Sequence, residues 1–255
     1  MTDSSLRADA KTTRLRESLR PGGEFGAHSV LSGPVLLALD PRVKVCGIVA
    51  DGCRVFKSSV SPALIPLVVH DSTDPAFIKE RFGDEAMDAF LAVRARRGSD
   101  PWDERAAVRT AGATRWTYDV LFKIGDDVRQ DQLLLQLLRL MDEHFQSLSL
   151  DFCLTPYRVL ATSTTTGLLE FVTGAMPLDP IKGNILGWLA DRPGNRDDQG
   201  LKGVRLDVVE RYTRSCAGYC VWTYILGVGD RHLDNIMITP DGRLIHIDFG
   251  YAFGK

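Results

Sequence analysis

The sequence predicts an α+β chain in two parts. A β-rich first part leads through a crossover near 170–176 into a mostly helical second part. Three observations carry this expectation. Short β-type runs bounded by turn residues crowd the first part. A strongly amphipathic segment, DDVRQDQLLLQLLRLMDEHF, follows them. A long apolar-periodic stretch and a closing hairpin end the sequence.

Residues 1–29 are polar with both signs of charge, and the expectation is a tail with little fixed structure. VKVCGIV and CRVFKSS read as β segments joined at Ala50-Asp51-Gly52, a hairpin turn signal. ALIPLVV adds a third strand, in which Pro66 argues for an edge or bulge position. Residues 70–117 are rich in Ala, Arg and Asp and read as a solvated insertion, with ERFGDEAMDAFLAVRARRG as its helical candidate. β signals resume at WTYDVLFKIG. In the amphipathic helix Leu134, Leu138, Met141 and Phe145 share one face, and Asp126 or Asp127 caps the start. YRVLAT and GLLEFVTG are further strands. From 177 to 203 the chain is loop-rich with a short helix around ILGWLA, and a long helix covers about 206–226.

The chain has 255 residues, 44% hydrophobic and 25% charged, within the soluble globular range. A net charge of −2 offers no global attraction for nucleic acid, and none is expected as a partner. Cys46, Cys53, Cys153, Cys216 and Cys220 form an odd set without a disulfide-framework pattern, which suits a reducing, cytoplasmic setting. Cys216 and Cys220 read as small core residues, since tetrahedral zinc wants four ligands. No apolar run reaches the roughly eighteen residues of a membrane span, so membrane contact is expected to be peripheral.

The chemistry concentrates in LGVGDRHLDNIMITPDGRLIHIDFGYAFGK, 226–255. IMIT and RLIHI pair about Pro240-Asp241-Gly242. Antiparallel pairing then brings Asn235, before the first strand, opposite Asp248, after the second. An amide oxygen and a carboxylate at one hairpin mouth make a hard, oxygen-rich site suited to Mg²⁺ shared with phosphates. Asp230 and His232 sit just upstream, where either can orient or deprotonate an attacking hydroxyl. A rival reading makes Asp230 and Arg231 a structural ion pair. Lys123 ends the LFK strand, and Asp131 falls on the apolar face of the next helix. A carboxylate there needs a cation or hydrogen-bond donors, and Lys123 is the nearest candidate. Tyr157 offers a phenol either to hydrogen-bond Asp131 or to line an adenine pocket. VFKSSVSP places a lysine and three serines on one tight connection, a phosphate cradle without the glycines of a P-loop; no G-x-x-x-x-G-K-[ST] occurs.

On VKVCGIV, VFKSSVSP, LFKIGDDVRQDQLLLQLLRLMD, LTPYRVLATSTTTGLLEFV, SCAGYCVWTYILGVGDRHLDNIMIT and LIHIDFGYAFG, the chain resembles the catalytic domain of phosphatidylinositol 3-kinases. DRHLDN and DFGY make it most similar to the class III, vacuolar protein sorting type. The resemblance implies a two-lobed, protein-kinase-like (phosphatidylinositol 3/4-kinase) fold, with a first lobe at 30–172 and an incomplete second lobe at 173–255. It implies ATP with Mg²⁺ or Mn²⁺, adenine lying against Glu170, Phe171 and Val172, and Phe56, Pro62, Leu121 and Ile247 around the nucleotide. Lys57, Ser58 and Lys123 would meet its phosphates, with Asp131 and Tyr157 behind Lys123. Asn235 and Asp248 would hold the metal. Asp230 or His232 would serve the inositol 3-hydroxyl. The order Asp-Arg-His reverses the protein-kinase His-Arg-Asp, so the base does not transfer from that family.

The implied reaction makes phosphatidylinositol 3-phosphate from membrane phosphatidylinositol. Implied partners are a protein-kinase-like regulatory subunit and a coiled-coil autophagy subunit, on endosomal or autophagic membranes. The family pattern continues past Lys255 through the activation loop, so the chain as given is expected to be C-terminally truncated, with little or no lipid kinase activity. Two alternatives remain: a related serine/threonine protein kinase sharing G-x-G-D-R-H and D-F-G, and a non-catalytic truncated product.

Overall fold

The computed structural model describes residues 3–58, 60–96 and 116–254. They divide into two compact units, 1–126 with 162–171, and 127–161 with 172–255. The expected first lobe, 30–172, is therefore split: the amphipathic helix packs with the second unit. No helix among the described residues is long and apolar enough to cross a membrane.

The first unit is built on an antiparallel sheet in the order β1-β2-β4-β5-β7, with β3 also pairing β4. The strands are β1 (Val30–Leu37), β2 (Asp40–Ile48), β3 (Arg54–Val55), β4 (Ala63–Val69), β5 (Thr117–Ile124) and β7 (Thr166–Glu170). β4 and β5 pair from Ala63↔Phe122 to Val68↔Thr117, which puts Tyr118 and Val120 into the core. The expected hairpin at 50–52 does not form. Ala50–Gly52 is a single 3₁₀ turn, and β2 and β3 both pair with β4 at successive stretches. Nor is β4 an edge strand. Pro66 sits where its partner changes: the carbonyl accepts from Val49 N (2.9 Å), and the missing N–H falls on that same side, in the gap.

The N-terminal segment is not the unstructured tail that its composition suggests. Helix α1 (Asp3–Leu19) lies along β3, an arrangement that follows from the strand's open edge. Thr12 Oγ1 accepts from Val55 N (2.9 Å), and Arg16 Nε donates to the Cys53 carbonyl (2.7 Å). A polar helix can dock here because it supplies hydrogen bonds where composition alone registers only low hydrophobicity.

The insertion is also more than a solvated excursion. Asp74 caps α2 (Pro75–Phe82), accepting from Ala76 N, and Gly83 ends it; α3 (Asp84–Arg96) follows. Phe77, Ile78 and Phe90 are buried, with Phe77 stacked on Tyr118 (5.9 Å) and Phe90 edge-on to Trp116 (5.3 Å). The rest of the expected insertion, 97–115, lies outside the described residues.

The second unit holds α4 (Arg129–Ser147), β6 (Val159–Ala161), β8 (Met176–Pro177), α5 (Ile185–Ala190), β9 (Arg196–Leu201), α6 (Leu206–Ile225), β10 (Ile236–Ile238) and β11 (Leu244–His246). On α4, Leu134 and Leu138 are fully buried, while Leu135 and Asp142 share the core and Met141 and Phe145 are only half-buried. Val128 occupies the N-cap without a side-chain bond; Asp127 Oδ1 instead accepts from Arg129 N (3.1 Å). β9 went unpredicted because RDDQGL is polar and carries no β signature.

α6 buries a stripe at Val208, Ser215, Tyr219 and Trp222, spaced 7, 4 and 3 residues apart, as one helix face requires. The stripe faces β11: Leu244 N donates to Ser215 Oγ (2.8 Å), and His246 stacks on Tyr219 (4.8 Å, 7°). Gly242 takes φ +97° in the hairpin turn, where a Cβ would stand 2.5 Å from the Val208 carbonyl oxygen, so only glycine fits. The three-stranded sheet runs β11-β10-β8.

Candidate active site

The hairpin forms as expected, with Ile236↔His246, Met237↔Ile245 and Ile238↔Leu244 in register. Its mouth differs by one residue from the expectation. Ile247, not Asp248, stands opposite Asn235, and Ile247 N donates to the Asn235 carbonyl (3.0 Å). Asp248 follows one position later in left-handed conformation, φ +59°. The pairing ladder consumes the residue directly across from Asn235, so the carboxylate emerges only after the chain has turned out of the strand.

Asp230 is left-handed too, φ +54°. Such a backbone costs an ordinary residue roughly 1–2 kcal/mol, although Asp tolerates it better than most. Here it is held by hydrogen bonds. Asn235, buried, donates from Nδ2 to the Asp230 carbonyl (2.9 Å). Because a carbonyl only accepts, this bond fixes the amide's orientation and leaves Oδ1 as its available ligand atom.

Arg231 binds the two acidic segments together. Its Nε donates to the Gly229 carbonyl (2.7 Å), Nη1 to Ile247 (2.8 Å) and Nη2 to Asp248, with the guanidinium 5.5 Å from the centre of the Phe249 ring. The rival reading of a simple Asp230–Arg231 ion pair gives way to a clasp on backbone carbonyls. Burial lowers the Arg231 pKa from its ordinary value, and the nearby charges of Asp248 and Asp230 oppose that shift.

Phe249 is fully buried, edge-on to Trp222 (5.2 Å), and burying such a side chain stabilises by about 1.5–3 kcal/mol. Its backbone is held from α4 at both polar atoms. Asp131 Oδ1 accepts from Phe249 N (3.2 Å), and Gln130 Nε2 donates to the Phe249 carbonyl (2.7 Å). The buried carboxylate on the apolar face thus meets a backbone donor. Tyr157 is buried nearby; burial first, then the charges of Asp131, Tyr219 and Asp248, push its pKa well up, so it stays a neutral phenol. Beyond Phe249, Gly229 N donates to the Tyr251 carbonyl (2.8 Å) and Phe253 N to Leu226 (2.9 Å), lacing 251–253 to the end of α6.

Asp230 Oδ2 lies 3.9 Å from His232 Nε2, and both side chains are about half exposed, 48% and 53%. That separation exceeds a hydrogen bond, so neither group is committed to the other.

In the first unit, Phe56 N donates to the Pro62 carbonyl (2.9 Å) and Ser61 N to Ser58 (3.2 Å), which closes the serine loop and leaves Lys57 and Ser58 exposed. Phe56 stacks on Phe171 (5.9 Å, 29°). Leu121 lies opposite Leu169 and Lys123 opposite Gly167 on β7. Lys123 Nζ donates to Asp126 Oδ2 (2.8 Å), a partner that sequence reading had considered only as a helix cap. Glu170 pairs with Arg81, described below, and the Val172 carbonyl accepts from Ala175 N (3.2 Å) in the second unit. Sequence reading missed the roles of Arg231 and Gln130. An arginine flanked by acids hides a backbone clasp, and a glutamine beside a buried aspartate carries almost no signal of its own.

The sequence pattern of the family described as phosphatidylinositol 3- and 4-kinase matches residues 117–184 and 179–255. The chain is 38% identical over 226 residues to phosphatidylinositol 3-kinase pik3 of Schizosaccharomyces pombe, covering 86% of this chain and 22% of that protein. It is 37% identical over 225 residues to phosphatidylinositol 3-kinase VPS34 of Saccharomyces cerevisiae (87% and 20%). It is 34% identical over 247 residues to the nodule isoform of phosphatidylinositol 3-kinase from Glycine max (96% and 25%). The chain spans about a fifth to a quarter of the length of these curated relatives. The matched pattern covers more than half of the chain, from β5 through the clasped Asp230 and Asp248 segments, and the chain belongs to the phosphatidylinositol 3- and 4-kinase family.

Proposed function

We propose that this chain is catalytic sequence of a phosphatidylinositol 3-kinase, transferring the γ-phosphoryl group of ATP to the 3-hydroxyl of membrane phosphatidylinositol. The observation that carries the reading is the Arg231 clasp, which ties the Asp230 loop to the Asp248 segment through carbonyls of Gly229, Ile247 and Asp248. Acid, imidazole, amide and second acid thereby belong to one framework.

In the transfer, the bond from the γ-phosphorus to the β–γ bridging oxygen breaks as the inositol 3-oxygen bonds to phosphorus. The hydroxyl proton passes to Asp230 or His232, both exposed and neither hydrogen-bonded to the other. Asn235 Oδ1 and the Asp248 carboxylate are hard oxygen donors that fit Mg²⁺ or Mn²⁺. In this reading phosphate oxygens and water complete the ion's shell, as Mg²⁺ usually keeps water and binds through one or two carboxylates plus substrate phosphates. When bound, the ion neutralises charge on those oxygens. Adenine rests against Glu170, Phe171 and Val172, with Phe56, Pro62, Leu121, Tyr157 and Ile247 around the nucleotide. Lys57, Ser58 and Lys123 meet its phosphates, and Asp131 steadies the Phe249 backbone. The relatives' shared name, phosphatidylinositol 3-kinase, supports the lipid kinase reading, and the proposal extends to class III chemistry regulated by a protein-kinase-like subunit and a coiled-coil autophagy subunit on endosomal membranes.

The test uses the full-length protein that carries this sequence, with phosphatidylinositol vesicles and Mg-ATP. The expected product is phosphatidylinositol 3-phosphate, and Asp248→Ala lowers turnover by about a thousandfold or more through loss of a metal ligand. Near-normal turnover in that variant, or transfer to peptide serine without lipid product, overturns the assignment.

A further inference from the structure

The insertion at 70–117 interrupts an otherwise continuous run of family motifs, yet its first helix reaches the strand that leads into the crossover. Arg81, in the last turn of α2, ion-pairs with Glu170 (2.7 Å) and donates from Nη2 to the Phe171 carbonyl (3.4 Å). The two side chains are only 28% and 12% exposed, so solvent weakens this pair less than a surface bridge. The guanidinium also lies 5.9 Å from the centre of the Tyr118 ring.

Its helix is anchored on several sides. Phe77 and Ile78 are buried, Phe77 stacks on Tyr118, and Arg42 bridges Glu80 to Asp40 on β2. Ahead of the helix, Thr73 is buried and exchanges hydrogen bonds with both backbone groups of Lys44 (3.0 and 3.1 Å). Arg81 therefore projects from a fixed platform. On the other flank, Phe171 N donates to the Asp119 carbonyl (2.9 Å) and Phe56 stacks on the Phe171 ring. Amide, ring and carbonyl of this one residue are each held by a different part of the first unit.

We infer that Arg81 is a positioning residue for adenine recognition: the inserted helix sets the conformation of the Glu170–Phe171 crossover, and so tunes affinity for the base. This rests on the kinase reading, in which the crossover backbone receives adenine. The planar fork of arginine matters because it addresses a carboxylate and a carbonyl together, which a lysine ammonium does less well.

The experiment measures binding of Mg-ATP and of inorganic tripolyphosphate by the full-length protein and its variants. Arg81→Ala is expected to weaken ATP about five- to tenfold, the worth of a lost charge-assisted bond, and to leave tripolyphosphate affinity unchanged. Arg81→Lys falls in the middle, and Arg81→Glu with Glu170→Arg recovers part of the loss. Faster amide exchange at Phe171 in Arg81→Ala, without nucleotide, is the accompanying signature. Wild-type ATP affinity in Arg81→Ala overturns the inference, as does equal loss of both ligands, the sign of a merely destabilised unit. A wild-type protein without affinity for ATP overturns the kinase reading as well.

Discussion

The serine loop at 56–62 and the hairpin mouth at 229–250 are both short connections proposed to meet phosphate, and they are held in opposite ways. At the mouth, one half-buried guanidinium reaches three carbonyls on two segments, and α4 takes both backbone atoms of Phe249. The serine loop closes on its own backbone, and an exposed bond, Lys11 Nζ to Ser61 Oγ (2.8 Å), reaches it from α1. The mouth carries two left-handed aspartates and the loop one left-handed serine, Ser61 (φ +47°), and the mouth has the stronger clasp. In the proposed reading the loop admits a nucleotide, and it closes through Phe56 N to the Pro62 carbonyl and Ser61 N to Ser58. Rigidity is thus concentrated where acid geometry matters, and that contrast can be tested.

The largest expected stability effect is at the clasp. Arg231→Ala strands three carbonyls in a half-buried setting and releases the strain at Asp230 and Asp248. A loss on the order of 3 kcal/mol follows from hydrogen bonds of a charged donor. Arg231→Lys should lose nearly as much, since one ammonium cannot span both segments. Urea unfolding of the two variants is the check; a lysine variant as stable as wild type would show that charge alone, not the fork, holds the mouth.

A smaller effect of opposite sign is expected at Asp142, which is buried on α4. Burial first, then the Asp151 charge, raises its pKa above the ordinary 3.8; among the described residues Oδ1 finds no hydrogen-bond partner, while Oδ2 accepts from Gln146 (2.8 Å). As pH rises past the ordinary value, the unfolded chain releases this proton before the folded chain does. Stability therefore falls through that interval, and the deficit persists at neutral pH. Asp142→Asn keeps an acceptor for Gln146 and removes the charge, so it should gain about 1 kcal/mol at pH 7. Below the ordinary aspartate range, where both side chains are neutral, the gain disappears. Thermal melts at pH 7 and pH 3 read the difference; an equal gain at both would exclude ionisation as its source.

What the sequence disclosed follows the same division. Periodicity is local, so α4, α6, the short helix at ILGWLA and the closing hairpin were legible, as were the acids and amide around that hairpin. The partner of β3 was not: a turn signal at Ala50–Gly52 says that the chain bends, not which strand waits beyond the bend. α1 was missed because its docking runs through hydrogen bonds to a strand edge, which hydrophobic patterning does not register. The one-residue offset at Asp248 escaped because register depends on where the ladder stops. Long arginines escaped most completely. Arg81 reaches the Phe171 carbonyl and Arg231 those of Ile247 and Asp248, all distant in sequence, and a carbonyl leaves no trace in residue type.

The smallest expected effect tests what α1 does. Lys11 meets the exposed tip of the serine loop, whereas Thr12 accepts from Val55 N on the part-buried strand edge. Lys11→Ala removes a solvent-exposed bond that water replaces, so a change within about 0.5 kcal/mol is expected. Thr12→Ala leaves a strand N–H without its acceptor and should cost about 1 kcal/mol. Because the loop keeps its own closures, Phe56 N to Pro62 and Ser61 N to Ser58, neither change should reshape it. Denaturant midpoints that rank Thr12→Ala below Lys11→Ala would mean that the helix serves chiefly to cover the edge of β3. The reverse ranking would mean that it holds the loop tip, and the serine loop would then be clasped by design much as the hairpin mouth is.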